Sequence, residues 1–158
     1  IGEEGMGFYH VMHFFDVTRT MVAAQGVGLA QGALDRTVQY VQKRRFAGKP
    51  LSSYQRVQFL LAEMATKIEM VRNITYKAAW KRDQGKIEDK LSSMAKMTAA
   101  RTAMEVGAQA IQLHGGYGYI TEYEVERYYR EAKMAELHLG AKDVQKDIIA
   151  KAVIGKIK

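Results

Sequence analysis

Apolar residues recur three and four positions apart along most of the chain, which is the pattern of amphipathic helices. The pattern predicts a long first helix over 13–45, a second over 54–85 and a third over 90–113. Two shorter helices are predicted over 122–138 and 142–156, on either side of a glycine break. No run shows the strict alternation of a half-buried strand, so the chain is expected to be helical throughout.

The first predicted helix combines an apolar stripe with many small residues. The stripe consists of Phe14, Val17, Met21, Ala24, Leu34, Val38 and Val41. The small residues in its middle are Ala23, Ala24, Gly26, Gly28, Ala30, Gly32 and Ala33. Each glycine costs about 1 kcal/mol of helix propensity. We therefore expect another helix to approach closely at this segment.

The links between the predicted helices are short and polar. GKPLSS (48–53) predicts a turn in which Gly48 ends the first helix and Ser53 caps the second. RDQGKIED (82–89) predicts a loop before the third. Short links place consecutive helices antiparallel. The fold predicted for 1–158 is therefore a single all-α domain, an up-down four-helix bundle with an additional short C-terminal helix.

Composition narrows the classes of function. The chain has 158 residues, no cysteine, and 24 basic against 17 acidic residues, for a net charge of +7. The absence of cysteine excludes disulfides and thiolate chemistry and fits a reducing compartment. The lysines are spread out rather than clustered, which favours solvated helix faces, although a basic protein can also bind phosphate-bearing ligands. No apolar run approaches the ~20 residues of a membrane span.

The chain opens with IGEEGMGF, which has neither an initiator methionine nor the pattern of a secretory signal. We therefore expect a fragment or a processed chain.

Residues 111–120 read IQLHGGYGYI, an apolar helical run that stops on two adjacent glycines. One interpretation is that a glycine in the left-handed (αL) conformation ends the helix and a tight bend follows. The other is that bare backbone lies here against a flat or charged ligand. The segment is not a dinucleotide fingerprint, because no strand precedes the glycines and they open no helix.

Other catalytic and metal-binding patterns are missing from the sequence. The four histidines, His10, His13, His114 and His138, have no HExxH spacing, so no metal site is predicted. The four serines occur at 52, 53, 92 and 93 and suggest no Ser-His-Asp order.

Three segments taken together closely resemble the acyl-CoA dehydrogenase family. They are FFDVTRTMVAAQGVGLAQGALDRTVQYVQKRR, GKPLSSYQRVQFLLAEMATKIE and QLHGGYGYITEYEVERYYREAKMAE. The match covers essentially the whole chain and falls on the C-terminal helical domain of that family. Its members also carry an N-terminal helical domain and a middle β-domain, which these residues do not include.

The resemblance implies FAD as cofactor, held partly by a neighbouring subunit. It assigns to the neighbour's FAD the segment Gln112, Leu113, His114, Gly115 and Gly116. There a glycine lets the peptide group approach a phosphate or ribose oxygen.

The same resemblance assigns four further positions to the cofactor, Arg44, Phe46, Gln55 and Asp143. Arg44 matches an arginine that pairs with the pyrophosphate, a role suited to a guanidinium. Gln55 matches a residue near the adenine, and Asp143 one near the flavin ribose. Phe46 stands one place earlier than the aromatic residue of the family pattern.

The resemblance also implies an acyl-CoA substrate. It assigns Asp16 and Arg19 to the CoA portion, Phe15 to the acyl cavity, and Gly140 to substrate binding. An i,i+3 ion pair is the alternative role for Asp16 and Arg19, and a core position is the alternative for Phe15.

Both positions at which the family carries its catalytic glutamate differ here. That glutamate removes the α-proton of the thioester, and it usually lies in a Tyr-Glu-Gly-Thr pattern where this chain has His138-Leu139-Gly140-Ala141. A minority of the family place it on the first helix, at the position of Thr18. Neither leucine nor threonine acts as a base at neutral pH. His138, which can titrate near neutrality, is the alternative base.

Three hypotheses remain open from the sequence. The chain belongs to an acyl-CoA dehydrogenase with a base elsewhere, or to a relative that uses FAD for other chemistry such as oxygenation. The third is a non-enzymatic module, either a catalytically inactive subunit or a nucleic-acid binder. The sequence disfavours nucleic-acid binding, because aromatic and basic residues interleave only at 126–133.

The resemblance implies partners as well as a fold. A homo-oligomer, dimer or tetramer, would complete the FAD site, and an electron-transferring flavoprotein would accept electrons. The expected location is the cytoplasm, or the mitochondrial matrix in a eukaryote.

Overall fold

Five α-helices account for most of residues 2–86 and 88–155, the part of the chain that the computed structural model describes. They are α1 (Gly7–Lys43), α2 (Gln55–Asp83), α3 (Asp89–His114), α4 (Val125–Leu137) and α5 (Lys142–Ile154). Single 3-10 turns at Leu51–Ser53 and Gly115–Gly118 precede α2 and follow α3.

The third helix is the centre of the bundle, because α3 packs against α1, α2, α4 and α5. Helix α1 also packs on α2 and α4, which closes a four-helix core, and α5 lies on α3 outside it. The prediction of an all-α bundle of four helices with an extra C-terminal helix is confirmed.

Helices α1 and α3 approach each other through small residues. A Cβ added to Gly26 would lie 2.9 Å from the backbone carbonyl carbon of Ala99. Ala23, Ala30 and Ala33 on the same face of α1 are completely buried. The close helix contact expected from the small residues of α1 is therefore confirmed, although Gly28 faces solvent.

The apolar stripe predicted for α1 is wrong in its first half. Phe14 and Met21 are 58% and 55% exposed, and Ala24 also faces solvent. The buried face instead passes through Thr18, Arg19, Val22 and other small or polar residues. A search for large apolar side chains misses this face, since its contacts depend on small residues that admit α3.

The link between α1 and α2 is a miniature β-hairpin. Strands β1 (Arg45–Phe46) and β2 (Lys49–Pro50) pair antiparallel, with Phe46 opposite Lys49. Ala47 and Gly48 between them have φ of 46° and 77°, as a two-residue turn of the I′ type requires. The prediction that Gly48 ends the first helix is wrong, because α1 ends at Lys43 and Gly48 turns the hairpin.

Ser53 is not the cap of the second helix. Tyr54 occupies the N-cap position of α2, without a side-chain hydrogen bond to the helix. The Ser53 hydroxyl instead donates to the carbonyl of Pro50 at 2.7 Å. The Leu51–Ser53 turn lies between the hairpin and α2, so the serine is one residue too early to cap that helix.

The remaining helix boundaries lie near those predicted, with two differences. Helix α1 begins at Gly7 rather than 13. Its first turns were not predicted because Phe8 and Tyr9 are exposed and form no core stripe. Helix α4 begins at Val125 rather than 122, after turns that end at Glu124. The predicted end of the fifth helix at 156 lies outside the described residues.

Apolar residues spaced three and four apart on α2 and α3 are buried in the core, as the repeat predicted. Met64, Ile68 and Val71 of α2 are at most 3% exposed, and Val106 and Ala110 of α3 at most 1%. Among the described residues, no helix combines the length and apolarity needed to cross a bilayer.

The α1–α3 contact predicts opposite effects for two glycines of one helix. Gly26→Ala should lower the free energy of unfolding by about 1–3 kcal/mol, because its methyl group would overlap Ala99. Gly28→Ala should raise it by up to about 1 kcal/mol, since the added Cβ meets nothing within 4 Å and alanine favours the helix. Urea unfolding of both variants measures the difference, and a Gly26→Ala protein as stable as wild type would contradict the close contact.

Candidate functional site

A surface cleft of about 530 Å³ lies where the end of α1 meets the turn that follows α3. Its lining residues are Arg36, Gln39, Tyr40, Lys43, Arg44, His114, Tyr117, Glu122, Tyr123, Glu124 and Val125. The cleft therefore combines aromatic rings with three cationic side chains. It contains two of the predicted cofactor residues, Arg44 and His114.

Stacked aromatic rings form the wall of the cleft. The Tyr40 and His114 rings stack with centroids 4.1 Å apart, and the Tyr40 hydroxyl donates to the His114 carbonyl at 3.2 Å. Tyr123 presents its edge to Tyr40 at 5.7 Å, and Tyr117 lies 5.2 Å from Tyr123. These contacts fix the end of α1 against the end of α3 and hold the wall in place.

His114 is part of this wall rather than a free ligand. Its side chain is 5% exposed, and Nδ1 donates to the carbonyl of Ala110 at 2.8 Å. Burial lowers the pKa of His114, against a smaller opposing effect of that hydrogen bond, so the imidazole is neutral at pH 7.

Arg44 leaves α1 and faces the glycine corner. It caps the helix in an extended conformation, with φ −68° and ψ 131°, and its N–H donates to the carbonyl of Tyr40. Its guanidinium carbon lies 5.5 Å from the centre of the Tyr117 ring. Since Tyr117 directly follows Gly116, the structure brings the predicted arginine and the predicted glycines to one side of the molecule.

The three glycines of the corner serve different purposes. Gly115 has φ 63° and ψ −138°, which side chains rarely allow, and its N–H is already used within the cap of α3. A Cβ on Gly118 would lie 2.6 Å from the carbonyl oxygen of Ile111. Gly116 is exposed, and a Cβ there would meet no atom within 4 Å. Nothing in the described part of the chain therefore requires a glycine at 116.

The other residues predicted to touch the cofactor do not line this cleft. Phe46 is 66% exposed on the hairpin, and Gln55 is exposed at the start of α2. Gln112 is exposed on α3, whereas Leu113 packs against the core. Asp143 opens α5 and pairs with Lys146 at 2.9 Å, which lowers the pKa of the aspartate.

The residues predicted for the substrate lie at the opposite end of α1. Arg19 is 4% exposed and pairs with Asp16, which is the ion-pair alternative for these two residues. Burial raises the pKa of Asp16, and Arg19 partly opposes that rise. The cavity beside Asp16 is only about 10 Å³. Phe15 is half-buried next to Phe14, with ring centroids 6.2 Å apart.

The positions of the expected base contain no free base. Leu139 packs against a small cluster of Val22, Ala100 and Ala135. The Thr18 hydroxyl donates to the carbonyls of Phe14 and Phe15, at 2.9 and 3.2 Å.

His138 follows the last residue of α4, and its Nδ1 donates back to the carbonyl of Met134 at 2.6 Å. Gly140 lies in the turn after α4 with φ 97°.

Sequence reasoning missed the tyrosines of the cleft and one buried lysine. Tyr40 is one residue of the long first helix, and Tyr123 stands in a segment of alternating glutamate, tyrosine and arginine, so neither suggested a site. Only Tyr117, beside the glycines, indicated a role. Lys96 is 1% exposed in α3. It lies three residues after Ser93 and three before Ala99, and this spacing places it on the buried face.

Comparison with known proteins gives one consistent match. A family model described as "Acyl-CoA dehydrogenase, C-terminal domain" matches residues 5–154. Cyclohexane-1-carbonyl-CoA dehydrogenase of Geobacter metallireducens is 42% identical over 98% of this chain and 40% of its own length. The caffeyl-CoA reductase-Etf complex subunit CarC of Acetobacterium woodii is 41% identical over 99% of this chain and 41% of its own length.

A solved structure agrees with these relatives. Butyryl-CoA dehydrogenase from Megasphaera elsdenii superposes with a TM-score of 0.95 at 42% identity, covering 98% of this chain and 40% of that one. The chain thus spans about two-fifths of the length of the proteins it matches.

The geometry of the corner predicts which glycine substitution the fold tolerates. Gly118→Ala should lower the free energy of unfolding by about 1–3 kcal/mol, because the methyl group would collide with the backbone of Ile111. Gly116→Ala should change it by no more than about 0.5 kcal/mol, since it touches nothing. Urea unfolding compares the two, and equal losses of stability would show that Gly116 also serves the fold.

Proposed function

The chain belongs to the acyl-CoA dehydrogenase family, as its C-terminal domain, and we propose that it is part of an FAD-dependent oxidoreductase acting on acyl-CoA thioesters. The proposed reaction is α,β-dehydrogenation of the thioester. Because the chain spans about two-fifths of its relatives, this activity belongs to the longer protein. The observation that carries the proposal is the cleft, in which the Arg44 guanidinium lies 5.5 Å from the ring of Tyr117, the residue that follows Gly115 and Gly116.

The residues of the cleft fit FAD. A dinucleotide needs cations for its pyrophosphate and flat surfaces for its rings, and the cleft offers Arg44 and Lys43 together with Tyr117. The third cation, Arg36, is already paired with Glu124. Gly116 adds an exposed backbone position that no other part of the described chain fills. When bound, FAD would supply two-electron redox chemistry.

The proposed task of this domain is to bind and orient the cofactor. Arg44 would hold the pyrophosphate, and the Gly115–Gly116 backbone would lie along it. The cleft is open on one side, so a second subunit would supply the rest of the site. We therefore propose a homo-oligomer, a dimer or a tetramer.

Asp143 belongs to a different face of the chain, since α5 packs on α3 and the aspartate does not line the cleft. Its proposed contact with the flavin ribose would be made to another FAD of the oligomer.

A second candidate function has a specific observation in its favour. Leu139 occupies the usual position of the catalytic glutamate within an apolar cluster, and the hydroxyl of Thr18 is engaged with its own helix. The same fold would then serve as a catalytically inactive or repurposed flavin-binding and oligomerisation module. In the first function, the base would come from outside this chain or from His138.

The proposed partners follow from the family and from one relative. An acyl-CoA is the proposed substrate. An electron-transferring flavoprotein is the proposed electron acceptor, supported by the relative named as a subunit of an Etf complex. The proposed location is the cytoplasm, or the mitochondrial matrix in a eukaryote, which suits a chain without cysteine.

Arg44→Ala should weaken FAD binding to the full-length protein by about 10–100-fold, the usual loss for one hydrogen-bonded charge. Binding is measured by titrating FAD into apoprotein and following flavin fluorescence. Arg101→Ala is the matched control, because Arg101 is an exposed arginine outside the cleft that pairs with Glu105. Equal affinities of wild type and Arg44→Ala would remove Arg44 from the site.

Leu139→Glu should raise exchange of the substrate α-proton by about a hundredfold or more, because it places a carboxylate where the family has its base. Deuterium incorporation at the α-carbon is measured by mass spectrometry over a panel of acyl-CoA thioesters. Leu139→Gln, of the same shape without a basic carboxylate, is the control.

The unmodified protein distinguishes the two candidate functions in the same assay. Exchange by wild type would indicate a base elsewhere in the site. Absence of exchange in Leu139→Glu, with FAD and thioester both bound, would show that the site is not arranged for α-proton removal.

A further inference from the structure

Lys96 is a buried ammonium group in the middle of α3. It is 1% exposed, and its side chain points towards the turn between α4 and α5. Nζ donates to the carbonyl of Glu136 at 3.0 Å and to that of Gly140 at 2.6 Å. Its hydrogen bonds therefore join α3 to the backbone on either side of Leu139.

The Gly140 carbonyl accepts a second hydrogen bond. Nε2 of Gln145, a completely buried side chain of α5, donates to it at 3.1 Å. The Glu136 carbonyl belongs to the last turn of α4, where helix carbonyls lack partners within the helix. Lys96 thus caps α4 at a negative helix end and, with Gln145, fixes the start of α5.

The turn held in this way has an unusual backbone. Leu139 has φ 51° and Gly140 φ 97°, and leucine rarely adopts a positive φ. Such a conformation persists only where its surroundings enforce it. The hydrogen bonds on either side of Leu139 supply that constraint, while its side chain packs on Val22 of α1 and Ala100 of α3.

Charged groups from three other elements face Lys96. Arg19 approaches from α1 and Glu136 from α4. A cavity of about 140 Å³ beside Lys96 is also lined by Arg101 of α3 and by Lys142 and Lys146 of α5. Burial lowers the pKa of Lys96 to about 8, with Glu136 opposing the shift and Arg19 adding to it.

We propose that Lys96 is a positioning residue, whose hydrogen bonds to the Glu136 and Gly140 carbonyls hold residue 139 in its left-handed conformation and so set where that side chain points. Only the catalytic importance of this positioning rests on the proposed function, because the family resemblance assigns the catalytic glutamate to position 139. The two hydrogen bonds from Lys96, here called the clamp, need neither flavin nor substrate.

A thiol at residue 139 tests the clamp directly. The 158 residues contain no cysteine, so Leu139→Cys introduces the single thiol of this domain. In the full-length protein, with any other cysteine replaced by serine, a maleimide would report the accessibility of residue 139. Adding Lys96→Met should raise the labelling rate at pH 7 by at least about tenfold, because the hydrogen-bond donor to the Glu136 and Gly140 carbonyls is lost.

Lys142→Met is the matched control. Lys142 lines the same cavity, but it is exposed, and it does not hydrogen bond to the turn in the described structure. Its replacement should leave the labelling rate of the introduced thiol unchanged. Circular dichroism melts of all variants measure global unfolding separately from opening of the turn.

The dependence on pH provides a second test that leaves Lys96 unchanged. If the turn opens, Lys96 enters water and its pKa returns towards the ordinary value, so the open state binds its proton more tightly. Raising the pH through about 8 should therefore favour the closed turn. Amide hydrogen exchange of residues 137–141, corrected for the intrinsic rate at each pH, should slow between pH 7 and 10, and Lys96→Met should abolish this trend.

The outcomes separate the clamp from the flavin site. Equal labelling of the thiol at residue 139, whether lysine or methionine stands at 96, would overturn the proposal. If Lys96→Met does not fold, corrected exchange that fails to slow through pH 8 in the wild type would overturn it. Neither result bears on FAD binding, and loss of the Arg44 effect would leave the clamp intact.

Discussion

The close contact of α1 with α3 determines where both ends of the molecule lie. Gly26 allows the backbone of α1 to reach Ala99. About four turns further along both helices, Tyr40 stacks on His114, so the two helices run side by side in the same direction. One end of this pair forms the aromatic cleft and the other holds Arg19 near Lys96. A side chain at Gly26 would therefore disturb both regions.

The sequence predicted the helices more accurately than the surfaces by which they pack. The three-four repeat of α2 was sufficient, because large apolar residues such as Ile68 form its buried face. On α1 the same criterion selected Phe14 and Met21, which face solvent, since close packing here depends on glycine and alanine. The hairpin around Gly48 was missed because strands of two residues leave no periodic pattern.

The sequence predicted those site residues whose chemical type points to one role. It did not predict residues whose role depends on side chains that are distant in the sequence but close in the fold. The arginine and the glycines of the corner were identified from the sequence by resemblance, and the fold brings Arg44 and Tyr117 together. The burial of His114 could not be read from the sequence, because Tyr40, which covers it, lies 74 residues away. Lys96 resembled the many surface lysines, and only its spacing from small residues of α3 indicated burial.

When a ligand is bound by residues of two subunits, the fraction of sites that hold the ligand depends on protein concentration. If the exposed backbone at Gly116 forms half of the proposed cofactor site, a ligand completed by a second chain would stabilise association as much as association stabilises the ligand. Dilution would then release cofactor and separate subunits in a single coupled process, and excess cofactor would oppose both. In a cell, the supply of flavin would thereby regulate how much of the protein is assembled.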